Sequence, residues 1–162
     1  MLGQLSDERV LYRTRKTVLE MLRDRGYEIG DGEIEESFEE FAQRYLNKPQ
    51  MSFIAKRPSI GNDGVMTEEG EFLMEPILVK FATTEEKLGQ DAIKSLVNFM
   101  DQYSKESSDK NKCKELYDAI LIVKGGSTAI ARKVSFQKNL TNNRTLQTLA
   151  LSTSKFFLLK SF

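Results

Sequence analysis

The chain has 162 residues, enough for one ordinary domain or for one domain with a tail. Apolar residues make up 40% and charged residues 30%, which is typical of a globular protein and excludes a fibrous or mostly disordered class. There is no histidine, and Cys113 is the single cysteine. A Ser-His-Asp triad, a histidine-ligated metal, an internal disulfide and a four-cysteine zinc site are thereby excluded, and we expect an intracellular protein without metal or cofactor.

The charges are unevenly divided along the chain. Residues 1–118 carry a net charge of −7, whereas residues 119–162 carry seven basic side chains and no acidic one. This asymmetry favours a polyanion partner for the C-terminal part, although a solvated basic tail would give the same pattern. The N-terminus becomes charged too early for a secretory signal, and no stretch approaches the ~20 apolar residues of a membrane span, so no membrane partner is expected.

Two helices are predicted first. One covers about residues 7–25, with Ser6 as N-cap and Gly26 just beyond its end. Its apolar positions Leu11, Val18, Met21 and Leu22 form one stripe, with Thr14 filling the intervening turn. The second covers about residues 33–46 and packs beside the first after a short turn. Its opposite face, which we expect to be solvated, carries Glu33, Glu35, Glu36, Glu39 and Glu40.

Three strands follow, at about residues 51–55, 77–82 and 119–123, with an exposed loop at 59–71. The third strand is apolar throughout, so it is expected to be central, buried on both faces and parallel to a neighbour. A helix over about 88–103 connects the second and third strands as a crossover, expected to be right-handed. The fold class is therefore α/β, a small mixed sheet with flanking helices.

From about residue 134 the apolar residues lose any clean period. Leucines alternate irregularly with threonine, serine and asparagine as far as the final apolar run at 156–159. We expect a poorly ordered tail or a weak helix in this part of the chain.

A metal-dependent nuclease is the enzymatic alternative, because an α/β sheet can present carboxylates and a lysine to a metal ion. The one candidate is Glu85-Glu86-Lys87, which falls past the end of the second predicted strand and follows no Pro-Asp dipeptide. A three-residue match arises by chance in a charge-rich chain. We therefore assign no catalytic and no metal-binding residue.

The turn after the third predicted strand is a better candidate site. Gly125 and Gly126 allow the chain to turn, and Ser127 or Thr128 can cap a following helix. Basic side chains surround that helix start, namely Lys124, Arg132 and Lys133. Such a group can contact phosphate oxygens without reading bases, although an ordinary strand-to-helix turn with solvated basic residues has the same pattern.

Several segments together resemble a known family. Residues 11–18, 24–27 and 38–41, in that order and at those distances, are similar to the N-terminal jaw domain of the fifth subunit shared by eukaryotic RNA polymerases I, II and III. Residues 51–53 and 79–81 resemble its first two strands, and 120–132 resembles the strand and turn that carry its Thr-Pro-Ser-Ala-Lys signature. The resemblance covers about residues 8–133.

The resemblance implies a restriction-endonuclease-like jaw domain over residues 1–133, without a nuclease site. Residues 134–162 would be a divergent tail in place of the family's C-terminal assembly domain. Thr128, Ala131 and Arg132 match the Thr, Ala and Lys of the signature, whereas Ala129 and Ile130 replace its proline and serine. The residues expected to contact DNA are Lys124, Thr128, Arg132 and Lys133.

The function implied is that of a non-catalytic subunit of nuclear DNA-dependent RNA polymerase. Its expected partners are the largest subunit, other polymerase subunits and downstream duplex DNA. The alternatives are the metal-dependent nuclease and a protein-interaction domain without a DNA role.

Overall fold

The structure, a computed structural model, describes residues 2–45, 51–59, 72–82, 89–106, 113–123 and 145–150. These ranges contain four helices and four strands. The helices are α1 (Leu2–Asp24), α2 (Asp31–Ile34), α3 (Phe38–Tyr45) and α4 (Gln90–Glu106). The strands are β1 (Phe53–Pro58), β2 (Met74–Ala82), β3 (Asp118–Val123) and β4 (Thr145–Ala150). Among the described residues, no helix has both the length and the apolar character needed to cross a membrane.

The strands form one mixed sheet in the order β1-β2-β3-β4. β1 pairs antiparallel with β2, while β3 lies parallel to both β2 and β4. This arrangement confirms the α/β class, and it confirms that the apolar third strand is internal and parallel to its neighbours. The likeness to restriction endonucleases and the handedness of the β2-α4-β3 crossover stay predictions.

The core has two layers because successive strand residues point to opposite faces of the sheet. On one face, α4 packs through Ile93, Leu96 and Met100 onto Leu78 and Leu121. On the other face, α1 packs onto the sheet through a second cluster that comprises Val18, Leu22, Tyr27, Ala55, Ile77, Val79, Ile120 and Ile122. All residues of β3 from Ala119 to Val123 are buried, since both faces of that strand are covered.

The end of α1 confirms the predicted stop. Gly26 has a φ of 83°, a left-handed conformation that glycine adopts without a Cβ penalty. Gly26 N–H donates to Arg23 O (2.9 Å), and Tyr27 N–H donates to Leu22 O (3.0 Å), the two bonds of a Schellman motif. The predicted start is wrong, because the helix begins at Leu2 and runs through Ser6. Nothing in that stretch breaks a helix, since a single glycine costs only ~1 kcal/mol.

The second predicted helix is interrupted. α2 ends at Ile34, and α3 begins at Phe38. Ser37 caps α3: its Oγ accepts the Glu40 N–H (3.3 Å), while Glu40 Oε2 accepts the Ser37 N–H (2.8 Å). This reciprocal pair is a capping box, which starts a new helix rather than continuing the previous one. The break also turns Glu36 inward, so the expectation that this residue is solvated is wrong.

β2 extends further towards its start than predicted and contains Pro76. Ser59 N–H donates to Leu73 O (2.8 Å), so these two residues face each other at a hydrogen-bonded position of the β1–β2 pair. Hydrogen-bonded and non-hydrogen-bonded positions alternate along an antiparallel pair. Lys56 and Pro76, three positions further along, therefore face each other at a non-hydrogen-bonded position. The missing N–H of Pro76 therefore points towards β3, where pairing starts only at the next residue. The Lys56 carbonyl, turned to the free edge, accepts the Glu28 N–H (2.8 Å).

The C-terminal part contains a strand that the sequence did not predict. Thr145–Ala150 form β4 and pair in parallel with all six residues of β3. We expected a poorly ordered tail or a weak helix there, and for these six residues that expectation is wrong. Pairing with a buried strand decides the conformation of a segment whose own pattern is weak. The division into domains at residue 133 stays a prediction.

Candidate nucleic-acid interface

The four residues predicted to contact DNA follow β3 directly. They are Lys124, Thr128, Arg132 and Lys133, and all lie outside the described residues. The structure does show where this segment begins. β2, β3 and β4 are parallel, so Ala82, Val123 and Ala150 end at one edge of the sheet. Lys124 is the first residue of the sequence after this carboxyl edge.

An ion cluster lies close to the same edge. Because β1 runs antiparallel to β2, its start at Phe53 lies beside the carboxyl end of β2. A cleft of about 220 Å³ opens there. Its lining residues are Arg15, Glu33, Arg44, Tyr45, Met51, Ser52 and Phe53. The cleft therefore joins the middle of α1, the end of α3 and the start of β1.

Arg15 is the centre of this cluster, and its side chain is only 4% exposed. Its Nη1 donates to Glu36 Oε2 (3.2 Å) and to the Glu33 carbonyl (3.4 Å). Its Nη2 donates to Glu33 Oε2 (3.0 Å) and to the Tyr45 hydroxyl (3.0 Å). The guanidinium also lies 4.7 Å from the centre of the Tyr45 ring. Arg15 thus ties α1 to both α2 and α3.

Glu36 is the buried partner, with a side chain 3% exposed. Besides Arg15, it pairs through Oε1 with Arg44 Nη1 (3.1 Å), on the last turn of α3. Tyr12 closes the group, since its hydroxyl donates to the Glu36 carbonyl (2.8 Å) and its ring packs against Phe38 and Phe41. A buried carboxylate between two guanidinium groups is compensated electrostatically, which is the condition for its burial.

This cluster is built for structure rather than for chemistry or phosphate binding. Its two arginines face two carboxylates, so it offers no excess positive charge to a nucleic acid. Four of the five Arg15 donors are used, and only its Nε, which is buried, has no hydrogen-bond acceptor among the described residues. Within the described ranges, no three acidic or cysteine side chains are grouped closely enough to hold a metal ion.

A second ion cluster lies at the opposite edge of the sheet. Glu75, at the start of β2, accepts Lys114 Nζ (2.8 Å) and Ser59 Oγ (3.0 Å) on one oxygen, and Arg57 Nε (3.0 Å) on the other. The hydrogen bond from Lys114 is the main reason that the pKa of Glu75 lies below its ordinary value, and the other two donors add to this shift. Arg57 also lies 5.0 Å from the centre of the Tyr27 ring.

The α2–α3 surface is strongly acidic. Asp31, Glu33, Glu35, Glu39 and Glu40 are all exposed there. The expectation of a solvated acidic face is thus confirmed for every predicted member except Glu36. Hydrogen bonds from the Ser37 backbone and hydroxyl hold the pKa of Glu40 below its usual range, so this charge persists into mild acid. Such a face repels phosphate, so it is not a candidate for a DNA contact.

The helices and strands described above fall largely within the range that matches a known protein family. A sequence model of the family "RNA polymerase Rpb5, N-terminal domain" matches residues 6–100, more than half of the chain. The chain belongs to the Rpb5 N-terminal domain family. The match runs from the first turns of α1 to the middle of α4, so it includes the Arg15 cluster and the β1–β2 pair.

Two curated relatives of this Rpb5-family chain bear the same name. They are the DNA-directed RNA polymerases I, II, and III subunit RPABC1 of Caenorhabditis elegans, 26% identical over 123 residues, and of Caenorhabditis briggsae, 25% identical over 123 residues. The aligned region is 76% of this chain and 51% of each relative. The chain thus spans about half the length of the curated relatives it matches.

Several residues in the segments whose sequence predicted the resemblance have structural roles in this Rpb5-family fold. Arg15 is the buried hub, Gly26 ends α1, and Tyr27 packs into the core with Leu22. Sequence reasoning missed Arg15 and Glu36 as partners. The available signal was the Ser-x-x-Glu pattern at Ser37, which marks a helix start and so places Glu36 in the break, where its side chain is free to turn inward.

Proposed function

We propose that this chain is a non-catalytic module of nuclear RNA polymerase that contacts downstream duplex DNA. The observation that carries the proposal is the family match over residues 6–100, which spans α1 to α4. Two relatives are named as a subunit of RNA polymerases I, II and III, and this chain would assemble with the corresponding subunits, the largest one included. The nucleus is then its site of action.

The DNA contact is assigned to Lys124, Thr128, Arg132 and Lys133. These residues follow the carboxyl end of β3, which lies between the carboxyl ends of β2 and β4. The chain has no acidic residue after Asp118, so phosphate meets no nearby repulsion within this part of the sequence. The contact is electrostatic and independent of base sequence, because lysine and arginine side chains bind phosphate oxygens without reading base edges. The subunit acts by positioning DNA, and the chemistry belongs to the polymerase.

Duplex binding by the full chain tests the DNA contact. The double variant Arg132→Glu/Lys133→Glu should weaken binding equally for unrelated duplex sequences. It should also reduce the slope of log K against log salt by about 2, since each phosphate contact contributes ~0.9 to that slope. The matched control is Lys94→Glu/Lys105→Glu, which changes the net charge by the same amount at two exposed positions of α4.

The outcomes separate the alternatives. If both variants weaken binding equally, net charge rather than the segment after β3 is responsible, and the assigned contact is wrong. If the unmodified chain shows no salt-dependent duplex binding, the domain has no DNA role of its own and acts through protein contacts. Mg²⁺-dependent cleavage that Glu85→Ala abolishes would instead identify a nuclease. Pull-down of the full chain, probed for the largest polymerase subunit, tests assembly independently of DNA.

A further inference from the structure

The outer side of α1 carries a row of positive charge. Arg9, Arg13 and Lys16 are spaced four and three positions apart, so they lie above one another on one side of the helix. Arg9 and Arg13 are exposed, and Lys16 is half-buried. With a rise of about 1.5 Å per residue, the row is about 10 Å long. We call these three residues the α1 basic row.

No carboxylate neutralises this row within the part of the chain that the structure describes. The side chains of Arg13 and Lys16 make no ion pair or hydrogen bond there, and the guanidinium of Arg9 lies 5.5 Å from the centre of the Phe38 ring. The first acidic residue one turn away from any member of the row is Glu20, beyond its C-terminal end. Like charges at this spacing weaken a helix, so a bound anion would stabilise the row.

The composition of this side of α1 favours phosphate over a protein partner. Between Arg9 and Glu20, the fully exposed residues of the helix are Arg9, Arg13 and Thr17, and none of them is apolar. Protein interfaces are centred on buried apolar and aromatic side chains, whereas phosphate contacts need only cations and hydrogen-bond donors such as a hydroxyl. Each strand of a duplex carries one phosphate per ~3.4 Å of axis, so a row of about 10 Å spans about three.

We propose that the α1 basic row is a second phosphate contact for duplex DNA. It rests on the duplex binding proposed above, but it uses residues other than those after β3. The acidic α2–α3 surface joins α1 through Arg15. Two positions turn an α-helix by about 200°, so Arg13 lies on the other side of α1 from that contact. Binding to the row is independent of base sequence, because Arg13 and Lys16 contact phosphate by charge.

Duplex binding by the full chain over a range of salt concentrations tests the row. Arg13→Gln/Lys16→Gln should reduce the slope of log K against log salt by about 2, since each phosphate contact contributes ~0.9. The urea midpoint should stay unchanged. Lys94→Gln/Lys105→Gln is the matched control, which removes the same charge at two exposed positions of α4 and should leave the slope nearly unchanged. The charge-conserving exchange Arg13→Lys/Lys16→Arg should keep the slope of the unmodified chain.

Equal slopes for Arg13→Gln/Lys16→Gln and the α4 control would overturn the proposal, as would an equal loss in the charge-conserving exchange. If the double variant unfolds, Arg13→Gln alone should reduce the slope by about 1, and no reduction would reject the row. A loss in Arg132→Glu/Lys133→Glu alone would refute the row and leave the contact after β3. A loss in the row variant alone would keep the row and refute the contact after β3. Absence of salt-dependent binding by the unmodified chain would refute both.

Discussion

The Arg15–Glu36 pair should dominate the polar contribution to stability. Both side chains are almost fully buried, at 4% and 3% exposure, and of the two carboxylates that pair with Arg15 in the described ranges, Glu36 is the buried one. Glu36→Ala leaves a guanidinium charge buried with a half-exposed partner, and it frees Arg44 as well. Breaking a buried pair from one side typically costs about 3–5 kcal/mol, and we expect a loss in that range. This would be a large fraction of the free energy of unfolding of a small domain, which is ~5–15 kcal/mol.

Glu33 provides a matched control within the same cluster. Its carboxylate also pairs with Arg15 at 3.0 Å, but its side chain is 47% exposed. Water already reaches the Glu33 side of this pair, so Glu33→Ala should lower the free energy of unfolding by only about 0.2–1 kcal/mol. The comparison holds residue type and the Arg15 partner constant, and the two sites differ in burial and in the additional pair that Glu36 makes with the exposed Arg44.

Urea unfolding at neutral pH measures both variants. The chain has five tyrosines and no tryptophan, so far-ultraviolet circular dichroism and tyrosine fluorescence are the two probes. The double variant Arg15→Met/Glu36→Leu removes both charges together, and it should recover much of the Glu36→Ala loss. Equal losses for Glu36→Ala and Glu33→Ala would refute the reasoning, because burial would then not control the energy of the pair.

Two further variants test the backbone and the second cluster. Gly26→Ala should lower the free energy of unfolding in urea by about 1–2 kcal/mol, because alanine is strained at the φ of 83° found there. Gly32→Ala is the control, and it should leave the free energy of unfolding nearly unchanged, because a Cβ at Gly32 would meet no atom within 4 Å. Equal effects of the two variants would contradict the predicted strain at Gly26. Glu75 has a folded pKa below its ordinary value, mainly through Lys114, so the stability it contributes is present above the unfolded pKa and is lost as pH falls through the folded pKa. The difference in urea midpoint between the unmodified chain and Glu75→Gln should therefore shrink from neutral pH to about pH 3, and a constant difference would count against this linkage.

Hydrophobic patterning predicted the parts of the fold in which one side-chain period applies over a whole element. The apolar run of β3 indicated burial on both faces, and the structure covers it from both sides with α4 and α1. The helical period ending at Gly26 indicated the stop of α1. These features are local in sequence, so the residues that determine them lie close together along the chain.

Contacts between distant residues could not be predicted in this way. Arg15 and Glu36 are 21 positions apart, and each resembles an ordinary charged residue on a helix until the break before α3 brings them together. In the sequence, Pro76 similarly looks like the residue before a strand. The sheet can accommodate this proline inside β2 only because of its register with β1 and because pairing with β3 begins at the next residue. β4 needs the edge of β3 as its partner. In each case the deciding interaction is tertiary.

The family match and the proposed DNA contact lie in different parts of the chain. Residues 6–100 contain the buried Arg15 hub, the left-handed Gly26 and the β1–β2 pair, which all stabilise the fold. None of these offers free positive charge to DNA. The proposed contact lies beyond the match, at Arg132 and its neighbours. Variants in the two regions should consequently fail differently: scaffold changes lower the free energy of unfolding first, whereas charge reversal after β3 should weaken duplex binding in a chain that still unfolds at the same urea concentration.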